Sequence, residues 1–348
     1  MTLVEIIERY WPRLLARPGV QITTQQRSAI HALLGCRTEQ YGTMELACRQ
    51  CAGTMERHLA CGHRFCNQCQ HHNTRQWLAR QQQKLLPVRY FLTTFTLPYE
   101  LRVLAQHHPR IVYAALFQCA ANTLQDFGLN SSQLKTKLGL TAVLHTHTRR
   151  LDYHPHVHVV VPGGGVNQAR KEWRKLKGNY LFNGRALAKV FRARMLTQLR
   201  EAGLTVPATP QRWVVQCQDV GHGESALKYL SRYLYRGVLS NRNLVSDDGQ
   251  QVTFQYTDSE TKTVQTRTLP GEDFLLLLLQ HVLPTGFRRV RDYGFLHGNA
   301  KALLKIIQWV LRVNLPTIEP IKRACFRCPY CQQSMVMINI TRQKLKPG

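Results

Sequence analysis

The spacing of apolar and polar positions changes several times along the chain, and each change predicts an element. Residues 1 to about 34 repeat at helical spacing, with Pro12 and the Pro18-Gly19 pair as expected interruptions. Residues 36–72 hold many cysteines and few large apolar side chains, so metal must substitute there for a hydrophobic core. Gln76 to Leu86 (QWLARQQQKLL) predicts a helix that ends at Pro87. Tyr90 to Pro98 (YFLTTFTLP) is rich in β-branched and aromatic residues and predicts a strand. Residues 100–127 return to helical spacing. Leu140 to Thr148 (LTAVLHTHT) and His154 to Val161 (HPHVHVVV) then predict two strands, joined by the polar stretch RRLDY in a hairpin-like arrangement. Further on, Gly184 to Ala202 predicts a helix, Gln211 to Cys217 a strand, and Glu224 to Arg236 a helix stopped by Gly237. Residues 251–268 alternate and carry many threonines, which suggests a second hairpin. Asp273 to Val282 and Asn299 to Val313 predict the last helices.

The histidines in HPHVHVVV carry the first chemical signal. Alternate residues of a strand share a face, so His156 and His158 point together while Val157 and Val159 point the other way. Two neutral imidazoles at that spacing can chelate one divalent cation. A turn near Arg150 and Leu151 would bring His145 or His147 opposite them as a third ligand. Mg2+ or Mn2+ is expected; imidazole ligation suits Mn2+ at least as well as Mg2+, which prefers oxygen.

A second signal lies in SALKYLSRYLYRG. Leu227, Leu230 and Leu234 form the apolar stripe of a helix, while Tyr229 and Tyr233, four apart, are neighbours on another face. Lys228, Arg232 and Arg236 lie beside that face and are expected to contact DNA. A phenol, with a pKa of about 10, is a poor nucleophile at neutral pH. Beside a metal that polarises a phosphodiester, among guanidinium groups, it can attack phosphorus. Residues 140–220 contain only Asp152, Glu172, Glu201 and Asp219 as acids, with no cluster for a two-metal carboxylate nuclease.

Charge narrows the partner. Lys and Arg number 47 against 20 acidic residues, a formal net charge of +27 spread along the chain. That balance implies nucleic acid before a membrane surface. The longest apolar run, Phe274 to Leu279, is too short to span a bilayer, and the charged N-terminus does not resemble a signal peptide. Eleven cysteines without an export signal argue for metal sites in a reducing cytoplasm. Cys48-x-x-Cys51 and Cys66-x-x-Cys69, fourteen residues apart, have the spacing of one zinc ribbon. Cys36, Cys61 and His63 could complete a second zinc site. Near the C-terminus CFRCPYC spaces Cys325, Cys328 and Cys331 equally, a possible zinc motif with no evident fourth ligand.

The order of FTLP, HPHVHVVVPGGG and YLSRYLYRGVLSNRNL resembles the transposases of the insertion-sequence ninety-one type, members of the HUH single-strand endonucleases. LLPVRYFLTTFTLP, CGHRFCNQCQ and VLPTGFRRVRDYGFLHG extend the resemblance over nearly the whole chain. The resemblance implies an α+β fold: an HUH-type antiparallel sheet flanked by helices, with an N-terminal zinc-ribbon-like module and a C-terminal cysteine cluster. It implies an enzyme that nicks and rejoins single-stranded DNA at element ends through a 5′-phosphotyrosine, in rolling-circle-like transposition into target DNA, in a bacterial cytoplasm at the nucleoid. Tyr229 and Tyr233 would be the nucleophiles, His145 is favoured over His147 as the third ligand because the resemblance leads one to expect an aromatic at position 147, and the N-terminal zinc module would bind DNA with Arg49, Arg57, Arg64 and Arg75 in support. The expected organisation is residues 1–80 as N-terminal helices and zinc module, 81–240 as nuclease, 241–320 as accessory hairpin and helices, and 321–348 as cysteine motif. The rivals are an HUH replication initiator or relaxase, and a zinc-ribbon DNA-binding regulator without catalysis.

Overall fold

A computed structural model describes the chain except residues 70, 224, 226, 228–237, 259–260, 316–324 and 344–348. Its contacts divide the chain into two compact units, one drawn from residues 77–234 and 283–317, the other from 1–76, 235–282 and 318–348. Four consecutive segments were expected. The division differs because elements distant in sequence pair within each unit.

The first unit is built on a five-stranded antiparallel sheet. Its strands are β1 (Arg89–Thr96), β2 (Leu140–His147), β3 (Tyr153–Pro162), β4 (Val215–His222) and β5 (Val290–Tyr293). They lie in the order β5-β2-β3-β1-β4, which puts the histidine strand β3 in the middle. The predicted hairpin of β2 and β3 is present, its turn passing through Leu151 at a positive φ of 68°.

Side-chain parity then decides what each face of this sheet does. Val157, Val159 and Val161 of β3 are fully buried, together with Phe91 and Phe95 of β1 and Ala142 and Leu144 of β2. They pack under two helices, α1 (Pro109–Asn130) and α2 (Gly184–Glu201), through Val112, Leu116, Leu124, Leu187, Phe191 and Met195. Phe95 meets Phe191 edge to face at 4.9 Å between ring centroids. Burying one such side chain stabilises the fold by about 1.5–3 kcal/mol. The helices are joined by the Cys119 thiol donating to Gln198 Oε1 (2.9 Å) and by an Arg194–Asp126 ion pair. Residues 100–127, expected to be helical, make a short helix Arg102–His107 and then α1, because Pro109 suits a first helical turn but not an interior. The valine face is thus fixed in the core, and the histidines must emerge on the other side.

In the second unit, helix Leu3–Ala16 starts with a capping box between Thr2 and Glu5 and runs through Pro12. Six buried side chains (Leu3, Ile6, Ile7, Tyr10, Trp11, Leu14) outweigh the hydrogen bond that Pro12 cannot donate. Tyr10 lies so close to Gly271, the first residue of helix Gly271–Leu279, that a Cβ there would sit 2.1 Å from its ring. The Tyr10 hydroxyl donates to Asp247 (2.6 Å) on strand Leu244–Asp247, which pairs with the predicted hairpin Gln251–Thr257 and Val264–Pro270. A further three-stranded sheet places Thr43–Cys48 between Thr54–His58 and the C-terminal strand Met335–Thr341. Among the described residues no helix is long and apolar enough to cross a membrane.

Candidate functional site

His156 and His158 emerge on the face of β3 opposite the valine core, and the register places His145 of β2 directly across from His156. The ring centroids are 5.2 Å apart for His145–His156, 4.5 Å for His145–His158 and 4.8 Å for His156–His158. One ring nitrogen from each of the three lies within 4.8 Å of the others. Imidazole nitrogens bind a metal at about 2.0–2.1 Å, so small rotamer changes would converge them on one cation and leave further positions open. His147 pairs with Tyr153 instead and is not part of this group. The structure therefore gathers the trio with His145, the favoured third member.

An irregular register explains how the site is shaped. Between the pairs His145↔His156 and His147↔Tyr153, β2 contributes one residue and β3 two, His154 and Pro155. A proline has no N–H for the ladder, and a bulge is where a strand tolerates one. Within the bulge the Arg102 guanidinium donates to His154 Nδ1 (2.6 Å), holding that imidazole in a bond of its own. The His154 carbonyl accepts a bond of 2.6 Å from His156 Nδ1. A carbonyl only accepts, so His156 carries its proton on Nδ1 and presents the Nε2 lone pair.

Thr94 of β1 lies directly opposite His158, and its hydroxyl is 2.9 Å from His158 Nδ1. With Nδ1–H donating to Thr94 Oγ1, His158 also offers Nε2. Hydrogen bonds of this kind fix ligand tautomers in metal sites. Burial, reinforced by the neighbouring imidazoles, holds His145 well below the ordinary histidine range. Burial likewise pushes His158 down to about 3, helped by His156, and His156 down to about 4. All three are neutral at physiological pH, the form in which an imidazole can bind a metal.

Tyr229 and Tyr233, with Lys228, Arg232 and Arg236, lie outside the described residues.

The cysteines group differently from expectation. Cys36, Cys61, Cys66 and Cys69 form one cluster, with sulfur separations of 3.4 Å (Cys36–Cys69), 3.5 Å (Cys61–Cys69) and 3.7 Å (Cys36–Cys66). Cys48 and Cys51 join Cys328 and Cys331 in the other. The expected ribbon of Cys48, Cys51, Cys66 and Cys69 is therefore not the one that folds. The pairing of Thr43–Cys48 with Met335–Thr341 sets Cys48 opposite Met335 and draws its C-x-x-C turn to the C-terminal one. Meanwhile the Arg37 N–H donates to the Leu59 carbonyl (3.1 Å), which brings Cys36 beside Cys61. His63 is not in the first cluster; its Nδ1 accepts from the Phe65 N–H (3.2 Å). Cys325 is exposed and outside the second. Four thiols this close are the donor set of a structural zinc site, whose sulfur–sulfur edges are about 3.8 Å for bonds of about 2.3 Å.

Two family models match the chain, a "Transposase zinc-binding domain" over residues 6–97 and a "Putative transposase" over residues 139–302. Among curated proteins, "Putative transposase y4qJ" of Sinorhizobium fredii is 30% identical over 97% of this chain and 95% of its own length. The chain belongs to the IS91 family of transposases. "Transposase for insertion sequence element IS801" of Pseudomonas savastanoi pv. phaseolicola is 28% identical, over 94% of this chain and 86% of that protein. Among solved structures, the conjugative relaxase TrwC in complex with a mutant oriT DNA is 16% identical over 64% of this chain and 74% of that one, with a TM-score of 0.28. The transposase match spans the histidine trio, and the zinc-domain match spans six of the eight clustered cysteines but not Cys328 or Cys331.

Sequence reasoning missed Thr94, the Arg102–His154 pair and the C-terminal partners of Cys48 and Cys51. Signals for two of these existed. Strand alternation in FLTTFT puts Thr94 on the face away from Phe91 and Phe95. Three C-x-x-C pairs plus the single Cys36 and Cys61 make eight thiols, enough for two tetrathiolate sites.

Proposed function

We propose that this transposase nicks and rejoins single-stranded DNA at element ends through a 5′-phosphotyrosine. The observation that carries the reading is the neutral trio His145, His156 and His158, with His145 and His158 buried, His156 half-buried, His158 oriented by Thr94 and His156 by the His154 carbonyl. Mg2+ or Mn2+ is the cation of this reading, with imidazoles favouring Mn2+. When bound, it would polarise the scissile phosphodiester and stabilise the charge that builds on its oxygens.

The chain's own groups do the rest. The hydroxyl of Tyr229 or Tyr233 attacks phosphorus, forming the tyrosyl O–P bond as the bond to the 3′ oxygen breaks. The phenol proton is lost and the strand leaves with a free 3′ hydroxyl. The bond energy is kept in the ester, so the reverse attack by a 3′ hydroxyl rejoins DNA without ATP. Two tyrosines allow two such transfers in succession. Lys228, Arg232 and Arg236 hold the phosphate backbone beside them, and the surplus of positive charge supplies sequence-independent affinity. The N-terminal zinc module is the DNA-recognition element of this reading, with Arg49, Arg57, Arg64 and Arg75 available for phosphates.

The test is cleavage of labelled single strands from both element ends, with Mg2+, with Mn2+ and with chelator. Site-specific cutting that needs the cation supports the proposal. Cutting only at a replication or transfer origin would favour an initiator or relaxase, and binding without cleavage would favour a regulator.

A further inference from the structure

We infer that Cys48, Cys51, Cys328 and Cys331 hold a zinc ion of their own, which fastens the C-terminal strand onto the N-terminal module. The four thiols come from two C-x-x-C turns almost 280 residues apart, yet Cys48 Sγ lies 3.4 Å from Cys331 Sγ and Cys51 Sγ 3.5 Å from Cys328 Sγ. All four sulfurs are within 4.8 Å of one another, close to the edges of a zinc tetrathiolate. The all-sulfur donor set selects a soft tetrahedral cation over Mg2+ or Mn2+.

The turns themselves are shaped to receive metal. The Gln50 N–H donates to Cys48 Sγ (3.4 Å). The N–H groups of Cys331 and Tyr330 are turned toward Cys328 in the same way. Amides turned toward sulfur stabilise thiolates, the form that binds metal.

Packing alone does not explain why the C-terminal strand stays in place. Its core is four buried residues, Leu46, Cys48, Cys328 and Met335, two of them the thiols in question. Beyond Met335 the strand is open to solvent: Met337 is 55%, Ile338 58% and Ile340 39% exposed. It presents little buried surface to offset the ordering of its backbone, so another source of free energy is needed. A structural zinc supplies that, of order 10 kcal/mol in small zinc modules. Cys328 and Cys331 fall outside the residues matched by the zinc-domain family model, so this metal would extend that module with the far end of the chain.

The test uses full-length protein and no DNA, so its result does not depend on the proposed strand transfer. Elemental analysis of freshly purified protein should find two zinc ions per chain, one for each tetrathiolate. Cys328→Ser/Cys331→Ser should retain one, and Cys66→Ser/Cys69→Ser should retain the other. Alkylation of the wild type gives a readout that needs no variant. Cys51 is exposed and belongs to the cluster. It should label only after a chelator strips the metal, together with Cys328 and Cys331. One zinc in the wild type, two in Cys328→Ser/Cys331→Ser, or Cys51 labelling as fast before chelation as after it would each overturn the inference.

Discussion

Thr94→Val is the sharpest probe of the histidine site, because it changes one hydrogen bond and almost no volume. The Thr94 hydroxyl faces His158 Nδ1 at 2.9 Å, and His158 is 7% exposed, so water cannot readily replace the lost acceptor. Leaving a buried N–H without a partner costs about 1–3 kcal/mol. The imidazole can avoid that cost by moving its proton to Nε2, which removes the lone pair aimed at the metal. Either response weakens metal binding, and outer-shell partners of this kind are worth about ten- to a hundredfold in affinity. We expect the Mn2+ dissociation constant of Thr94→Val, measured by calorimetry or by the electron paramagnetic resonance of free Mn2+, to rise by about that factor. Thr94→Ser keeps the hydroxyl and should bind like the wild type. Cleavage by Thr94→Val should recover at high Mn2+, since no ligand has been removed. An unchanged Mn2+ affinity in Thr94→Val would refute the reasoning, as would an equal loss in Thr94→Ser.

Three further expectations follow from the same frame. His156→Ala and His158→Ala should abolish cleavage but keep DNA binding, whose affinity still falls with rising salt as counterions are released; a normal cutting rate in either would make the histidine strand structural. Tyr229→Phe and Tyr233→Phe should each bind DNA normally and fail to transpose, and wild-type transposition by Tyr229→Phe would leave Tyr233 as the single nucleophile. Phe191→Ala, which empties the position packed against Phe95 between α2 and the sheet, should cost about 3–5 kcal/mol in chemical denaturation; a loss under 1 kcal/mol would show that this aromatic contact is not part of the core.

How much of this was legible in the sequence depended on the range of the interaction. Alternation in HPHVHVVV placed His156 and His158 on one face because a strand's period is local, and the RRLDY turn was short enough to align His145 with them. Pro12 misled because its cost is local, whereas the burial of Tyr10, Trp11 and Leu14 that outweighs it comes from partners distant in sequence. The cysteines misled for the same reason. Spacing pairs Cys48 and Cys51 with the next C-x-x-C, yet the fold pairs them with one near the opposite end through a strand of only seven residues. The role of Pro155 was hidden too: whether it would end the strand or sit in a bulge depends on the register with Thr146, which spacing does not encode.

The most direct measurement of the central claim is to find the covalent bond. The protein is incubated with end-derived single strands in Mn2+, digested, and the nucleotide-bearing peptide identified by mass spectrometry. The account predicts a 5′-linked phosphotyrosine at Tyr229 or Tyr233, absent in His156→Ala and in the double Tyr→Phe variant. Cleavage without any protein-linked nucleotide, or an undiminished adduct in the double variant, would contradict it.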